Sequence, residues 1–241
     1  FDLWEEVKAD HFFTSMVQLA ALNEGAKLAQ RLNDFGASDW YLRQAAAITS
    51  HLQAYLNLNN NYIPVSMNVE GYTSKHSGLD IAVILAVLRT PENTASLNVQ
   101  HTLVQKTLSV LISEFQKIYP INHNSNVPGV AIGRYPEDVY DGVGMTRANP
   151  WVLATMAAAE TYYKLSAYRA DQGSIQQARE LFEVADQFYR RVQAHANPDH
   201  SLSEQMDRYS GYMVGARDLT WSHASVLKAE WAREKAFRKL Q

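Results

Sequence analysis

Two acidic segments of this chain carry the residue types needed to hydrolyse a bond between two sugars. The first is Trp4-Glu5-Glu6, near the start, and the second is Ser203-Glu204-Gln205, near the end. Cleavage of such a bond by water requires one carboxylic acid that protonates the leaving oxygen and a second carboxylate that activates the water. An indole beside the acids gives a sugar ring an apolar face to lie on. We therefore take one of Glu5 and Glu6, together with Glu204, as candidate catalytic carboxylates.

Both acidic segments also have simpler explanations. Glu5 and Glu6 could favour the start of a helix predicted from Phe12, through the helix dipole. Ser201 and Glu204 have the spacing of a capping box. No apolar helical pattern follows Glu204, however, which weakens the capping explanation and favours a carboxylate carried on a loop. The residues alone leave these alternatives open.

A third polar segment lies at residues 133–140 and is followed by Trp151. Arg134, Glu137 and Asp138 could hold sugar hydroxyls in fixed positions, with Trp151 as a stacking wall. They could equally form an internal charge network that holds the loop, or an ordinary turn with a surface Arg–Glu pair.

Composition excludes several other kinds of function. The 22 Lys and Arg against 25 Asp and Glu give a net charge of −3, which argues against a general nucleic-acid or anionic-membrane surface. The absence of cysteine excludes disulfides, thiol catalysis and Cys-zinc sites. No apolar run approaches the ~18 residues of a membrane span. The sequence contains neither a Gly-rich phosphate loop nor G-x-S-x-G, and its histidines lack metal-ligand spacing.

The apolar periodicity predicts an all-α chain of seven helices with little strand signal outside residues 62–69. The helices are predicted over residues 12–32, 40–58, 81–88, 98–119, 150–168, 174–195 and 219–239. Three long irregular stretches, at 59–78, 121–149 and 197–218, contain Gly, aromatic residues and carboxylates, a content that favours function. Neither an internal repeat nor a Gly/Pro/Ser-rich linker divides the chain, so we predict one domain over residues 1–241.

Taken together, these segments resemble the glucoamylases of glycoside hydrolase family 15, especially the fungal ones. The matching pieces occur in the family's order and run nearly from end to end. They are FDLWEEV (1–7), HFFT (11–14), SGLD (77–80), YPIN (119–122), GRYPEDVY (133–140), NPWVLA (149–154), LSEQ (202–205) and ARDLTWS (216–222).

The resemblance implies an (α/α)6 barrel, twelve helices in two concentric rings, of which this chain covers roughly the second half, without a separate starch-binding domain. It assigns Glu5 as the general acid and Glu204 as the general base. The resemblance also implies that Glu6 and Arg134 contact the sugar. It implies that the pocket is lined by Trp4, Trp151 and Trp221, and that the site is supported by Tyr135 and Asp138.

The activity implied by the resemblance is that of a glucan 1,4-α-glucosidase. Such an enzyme releases β-D-glucose from the non-reducing ends of starch and maltooligosaccharides with inversion, needs no metal or other cofactor, and is secreted. Two alternatives stay open at this point: a non-catalytic glucan-binding fragment, and another (α/α)6 sugar hydrolase.

Overall fold

The computed structural model describes residues 1–57, 61–71, 73–92, 97–123 and 126–241. The chain forms two compact units, Phe1–Thr107 and Leu108–Gln241, and each is described by itself. The prediction of one domain over 1–241 stays a prediction. In the described part of the chain there are seven α-helices, one 3-10 helix and four two-residue strands.

The helices are α1 (Phe12–Arg31), α2 (Phe35–Leu56), α3 (Ala82–Arg89), α4 (Thr102–Ile118), α5 (Val152–Asp171), α6 (Ile175–His195) and α7 (Thr220–Leu240), with a 3-10 turn at Pro120–Asn122. The strands are β1 (Asp10–His11), β2 (Ser66–Met67), β3 (Gln205–Met206) and β4 (Met213–Val214). None of the helices within the described ranges has both the length and the apolar character that crossing a membrane requires.

The seven predicted helices are confirmed, and α2 shows the largest change in boundary. It begins at Phe35 rather than Trp40 because the side chain of Asp34 accepts a hydrogen bond from the amide of Ala37 at 3.0 Å. An Asp in this position satisfies one of the free amides of the first helical turn. Leu58, the predicted end of α2, lies outside the described residues.

In the first unit, α1 packs against α2 and α3. The buried ring of Phe12 meets the ring of Tyr55 edge-on, and the Tyr55 hydroxyl donates to the carbonyl of Asp10 at 2.7 Å. Strand β1, which immediately precedes α1, pairs antiparallel with β2. The start of α1 is therefore held by Tyr55 of α2, and the segment that leads into α1 is held by β2.

In the second unit, α5 packs against both α6 and α7 and supplies much of the buried core. Its alanine-rich sequence lets neighbouring helices approach closely. Strands β3 and β4 form an antiparallel hairpin, with Gln205 opposite Val214. This hairpin places Glu204, which precedes β3, beside Gly215, which follows β4.

The structure contradicts both simple explanations of the acidic segments. Glu5 and Glu6 lie in a turn before β1, and α1 has no acidic residue in its first turn, where a helix dipole acts. Glu204 leads into β3 instead of a helix, so Ser201 and Glu204 do not form a capping box.

Candidate active site

The predicted site residues fall into two groups, one in each unit. The first group surrounds residues 4–6, which we call the acid turn. The second surrounds Glu204 and the β3–β4 hairpin, and we call it the base cluster.

The backbone of the acid turn is held by Asp2. One carboxylate oxygen of Asp2, Oδ1, accepts hydrogen bonds from the amides of Glu6 at 2.7 Å and Val7 at 3.2 Å. The amide of Glu5 donates to the carbonyl of Asp2 at 3.1 Å. Glu5 itself is exposed and has a φ of +62°, the left-handed region that costs a residue with a Cβ about 1–2 kcal/mol. The turn therefore presents the Glu5 side chain from a strained backbone that its neighbours stabilise.

Buried charges lie behind the acid turn. The ammonium group of Lys75 contacts the carboxylates of Asp2 at 2.6 Å and Asp80 at 2.9 Å, and it lies 3.7 Å from the carboxylate of Glu6. The indole of Trp4 donates to both oxygens of Asp80 at 3.0 Å. Trp4 and Glu6, two predicted substrate-binding residues, are thus tied to one buried network.

The pKa values of this network follow from burial and pairing. Burial alone would raise the pKa of Asp2, but the hydrogen bond and charge of Lys75 lower it overall. Burial would lower the pKa of Lys75, but Asp80 and Asp2 raise it. Burial raises the pKa of Asp80, and Lys75 opposes that rise. Lys75 is therefore held as a cation.

His11 fixes the far end of the acid turn. Its Nε2 lies 2.9 Å from the carbonyl of Val7, and its Nδ1 lies 2.7 Å from the hydroxyl of Ser66. Because a carbonyl only accepts, Nε2 carries the proton and the hydroxyl donates to Nδ1. Burial lowers the pKa of His11, which favours this neutral form.

In the base cluster, backbone and side-chain contacts both hold Glu204. Its amide donates to the carbonyl of Ala216 at 2.9 Å, and its carbonyl accepts from the amide of Val152 at the start of α5. The Gln205 amide group donates to the Glu204 carboxylate at 3.3 Å and accepts from Asn149 at 3.0 Å. Glu204 is therefore anchored to α5 and to the hairpin.

Two glycines allow the loops around Glu204 to approach each other. Gly215 has a φ of +78°, and a Cβ there would lie 2.8 Å from Oε2 of Glu204. Gly142 has a φ of +94°, and its Cβ would lie 2.8 Å from the Cα of Gly215. Both positions combine a left-handed backbone with a contact too close for a side chain.

Arg134 organises an aromatic wall in the base cluster. Its guanidinium donates two hydrogen bonds to Asp138, at 2.7 and 2.6 Å, and both side chains are buried. It also lies 5.3, 5.2 and 5.5 Å from the ring centres of Tyr135, Tyr140 and Trp151. The internal charge network considered from the sequence is confirmed for Arg134 and Asp138.

The hydroxyl of Tyr140 is hydrogen-bonded to the carboxylate of Glu204. Burial raises the pKa of Glu204, while the Tyr140 hydroxyl, the Arg134 charge and further hydrogen bonds oppose that rise. Burial and the Glu204 carboxylate also raise the pKa of Tyr140, so its hydroxyl stays protonated and donates. This arrangement suits a carboxylate that accepts a proton.

The outer part of the second unit carries the remaining predicted residue. Trp221 lies in the first turn of α7 with 37% of its surface exposed. A cleft of about 560 Å³ borders the hairpin and is lined by Asn197, Pro198, Asp199, Ser203, Met213, Gly215 and Arg217.

Across the part of the chain that the structure describes, no group of three or more His, Asp or Glu is arranged to hold a metal ion.

Sequence reasoning missed several residues of both groups. Tyr140 and Gln205 stand within or beside quoted motifs, so their closeness in sequence to Asp138 and Glu204 was an available signal. Lys75 lies five residues before Asp80 of the quoted SGLD motif, which was also an available signal, but its second carboxylate partner, Asp2, lies 73 residues away. The roles of the predicted residues toward a sugar stay predictions.

The described chain is mostly helical, and both candidate acids, Glu5 and Glu204, lie outside its helices. A sequence model described as "Glycosyl hydrolases family 15" matches residues 1–231, and the chain belongs to this family.

The relatives are glucoamylases. The chain is 34% identical to Glucoamylase 1 of Rhizopus oryzae, covering 98% of this chain and 44% of that protein. It is 33% identical to the intracellular sporulation-specific glucoamylase of Saccharomyces cerevisiae, covering 100% of this chain and 53% of that protein. The solved glucoamylase of Saccharomycopsis fibuligera superimposes with a TM-score of 0.89 at 29% identity, covering 98% of this chain and 58% of that one.

These likenesses confirm the predicted fold class, part of an (α/α)6 barrel. The chain spans about half the length of the curated relatives it matches.

The glycine contact beside Glu204 predicts an unequal response to alanine. Gly173 also has a left-handed φ, of +74°, but a Cβ there meets no atom within 4 Å. Gly173→Ala should lower the free energy of unfolding by about 1–2 kcal/mol, the backbone cost alone. Gly142→Ala should cost about 1–3 kcal/mol more, because its Cβ displaces the backbone of Gly215. Urea unfolding measures both variants, and equal costs would show that the two loops are not in close contact.

Proposed function

We propose that the protein containing this chain is a glucan 1,4-α-glucosidase. It hydrolyses starch and maltooligosaccharides from their non-reducing ends and releases β-D-glucose with inversion. The observation that carries the proposal is Glu204: a half-buried carboxylate with a raised pKa, held by Tyr140 and Gln205 beside an aromatic wall. Membership of glycosyl hydrolase family 15 supports the same activity.

In the proposed reaction, the two acids have opposite tasks. Glu5 gives its proton to the glycosidic oxygen as the bond to the leaving sugar breaks. Glu204, ionised, takes a proton from water as that water attacks the anomeric carbon from the opposite face, which inverts the configuration. Each proton transfer contributes about 10²–10⁴-fold to the rate.

Substrate contacts are proposed for the aromatic and charged residues that the family resemblance indicates. Aromatic faces suit the apolar side of a glucose ring, and charged groups suit its hydroxyls. The residues are Trp4, Glu6, Arg134, Trp151 and Trp221, with Tyr135 and Asp138 as supports. In the structure, Arg134 touches the faces of Tyr135 and Trp151, which supports a shared role in shaping the pocket wall.

Secretion is also part of the proposal, and the family resemblance supports it. One relative is named as an intracellular enzyme, so membership of the family does not by itself fix the compartment. Immunoblots of the culture medium and of washed cells of the native host decide the matter. Protein confined to the cells would overturn this part.

The activity is tested by incubating the protein with maltoheptaose and recording proton NMR spectra of the newly released glucose. We expect the β-anomer first. Release of the α-anomer would overturn inversion, and release of longer sugars would overturn exo-action. A panel of α-1,4, α-1,6 and α,α-1,1 linkages separates this activity from that of another (α/α)6 hydrolase.

Removing either acid should lower turnover strongly and leave sugar binding intact. Glu5→Gln and Glu204→Gln should each lower kcat by about 10²–10⁴-fold, because the amide neither donates nor accepts the proton in question. Calorimetric titration with maltoheptaose should show binding close to that of the unaltered protein. Glu180→Gln, an exposed change on α6, is the matched control.

Normal activity in Glu5→Gln or Glu204→Gln would remove that residue from the mechanism. Binding without turnover in the unaltered protein would identify a glucan-binding protein.

The hydroxyl of Tyr140 should set the acid side of the pH profile. Glu204 acts only when ionised, so activity falls as the pH drops through its pKa. Burial raises that pKa and the Tyr140 hydroxyl lowers it, so Tyr140→Phe should raise it further. The acid limb of kcat/KM should therefore move to higher pH in Tyr140→Phe. Tyr162→Phe removes a phenol hydroxyl from α5 and should leave the limb in place. If the acid limb of the kcat/KM profile stays in place in Tyr140→Phe, or moves to lower pH, the role of Tyr140 in setting the pKa of Glu204 is contradicted.

A further inference from the structure

Lys75 is a buried cation placed behind the acid turn. Only 3% of its side chain is exposed, and its ammonium group contacts Asp2 and Asp80, whose side chains are 3% and 0% exposed. An ammonium group and two carboxylates leave water at a large cost, which close pairing offsets without a clear net gain in stability. A cluster of three paired charges like this one is better suited to fixing the positions of its carboxylates than to stabilising the fold.

Each carboxylate bound by Lys75 also holds one side of the acid turn. Asp2 gives one oxygen to Lys75 and accepts the amides of Glu6 and Val7 on the other. Asp80 gives Oδ2 to Lys75 and receives the indole N–H of Trp4 on both oxygens. The residues immediately before and after Glu5 are thus attached to two carboxylates that share one cation.

Glu5 needs such an attachment because its backbone is strained. A φ of +62° persists in a residue with a side chain only where surrounding contacts fix it. If Asp2 or Asp80 rotates, the amides of the turn lose their acceptor and the indole of Trp4 loses its anchor. The turn can then relax, and the direction of the Glu5 carboxyl changes with it.

We propose that Lys75 is a positioning residue for Glu5: by binding Asp2 and Asp80 together, it fixes the strained turn that aims the Glu5 carboxyl group. The inference rests on the proposed function for the role of Glu5 as general acid. The attachment of the turn to Lys75 can be tested independently of that role.

The attachment is tested on the chain itself by ¹⁵N NMR. In Lys75→Met, the amides of Glu6 and Val7 should exchange with solvent at least about tenfold faster, because two buried carboxylates have lost their cation. The indole resonance of Trp4 should shift as well. Lys8→Met removes an exposed lysine whose ion pair with Glu70 lies in the same unit, and should change neither signal. Unchanged exchange and an unmoved indole in Lys75→Met would overturn the proposal.

The effect on Glu5 is tested with two substrates that differ in their need for acid catalysis. Maltose requires protonation of its leaving oxygen, whereas fluoride leaves α-D-glucosyl fluoride without it. Lys75→Met should lower kcat for maltose by about 10–100-fold, part of the contribution of a general acid, with KM changed by less than about twofold. It should lower kcat for the fluoride by less than about twofold. Glu204→Gln, which removes the base, should impair both substrates.

A second variant guards against misfolding. Adding Asp2→Asn to Lys75→Met removes one of the two uncompensated buried charges, and should recover part of the lost thermal unfolding temperature but not the full kcat for maltose. If Lys75→Met does not fold, Lys75→Gln, which keeps an N–H donor toward the carboxylates, is carried through the same measurements.

The outcomes separate the two proposals. Equal losses on maltose and glucosyl fluoride would show that Lys75 stabilises the unit in general, and would overturn its positioning role. If the unaltered protein hydrolyses neither substrate, the proposed function fails, while the NMR experiment still decides whether Lys75 holds the turn.

Discussion

The pairing of buried charges determines the geometry of both groups of candidate residues. In the first unit, Lys75 joins Asp2 and Asp80, and in the second, Arg134 is bound through two hydrogen bonds by Asp138. Intact pairs of this kind add little net stability, but loss of one partner costs about 3–5 kcal/mol. The loops that carry them therefore have one favourable arrangement, and alternatives leave a buried charge uncompensated. Irregular backbone is thereby fixed by charge pairs, without the restriction on side-chain direction that a helix imposes.

Around this constraint, the helices act as fixed supports and the loops supply the chemistry. Helix α5 is buried along most of its length, and its first residue, Val152, donates its amide to the carbonyl of Glu204. The unusual backbone lies in the loops: Glu5 has a positive φ despite its side chain, and Gly142 and Gly215 lie where two loops meet and only glycine fits. The strained backbone of Glu5 persists because the contacts around the acid turn fix it.

How far the sequence predicts this molecule depends on the range of the interactions involved. Helices follow from a repeat of a few residues, which is why α1 and the nearly all-apolar α3 were found within a residue or two. The start of α2 depended on a single cap, Asp34, and the two-residue strands are too short for any alternation to show. Glu204 was found because its motif is local. Lys75 was not found: Asp80 lies only five residues after it, but Asp2 is 73 residues away, and a lone lysine in a loop has no pattern that shows it joining the two.

The raised pKa of Glu204 bears on how a carboxylate can serve as a base. Burial disfavours its ionised form, and this alone would suit an acid better than a base. Yet a carboxylate with a higher pKa binds the proton taken from water more tightly, so each ionised molecule is a more effective base. The cost is a smaller ionised fraction at low pH. Tyr140 and Arg134 act against burial and restore part of that fraction. Since Tyr140 also contacts the aromatic wall that Arg134 organises, the same side chains that shape the surroundings of Glu204 set the balance between its basicity and its ionisation.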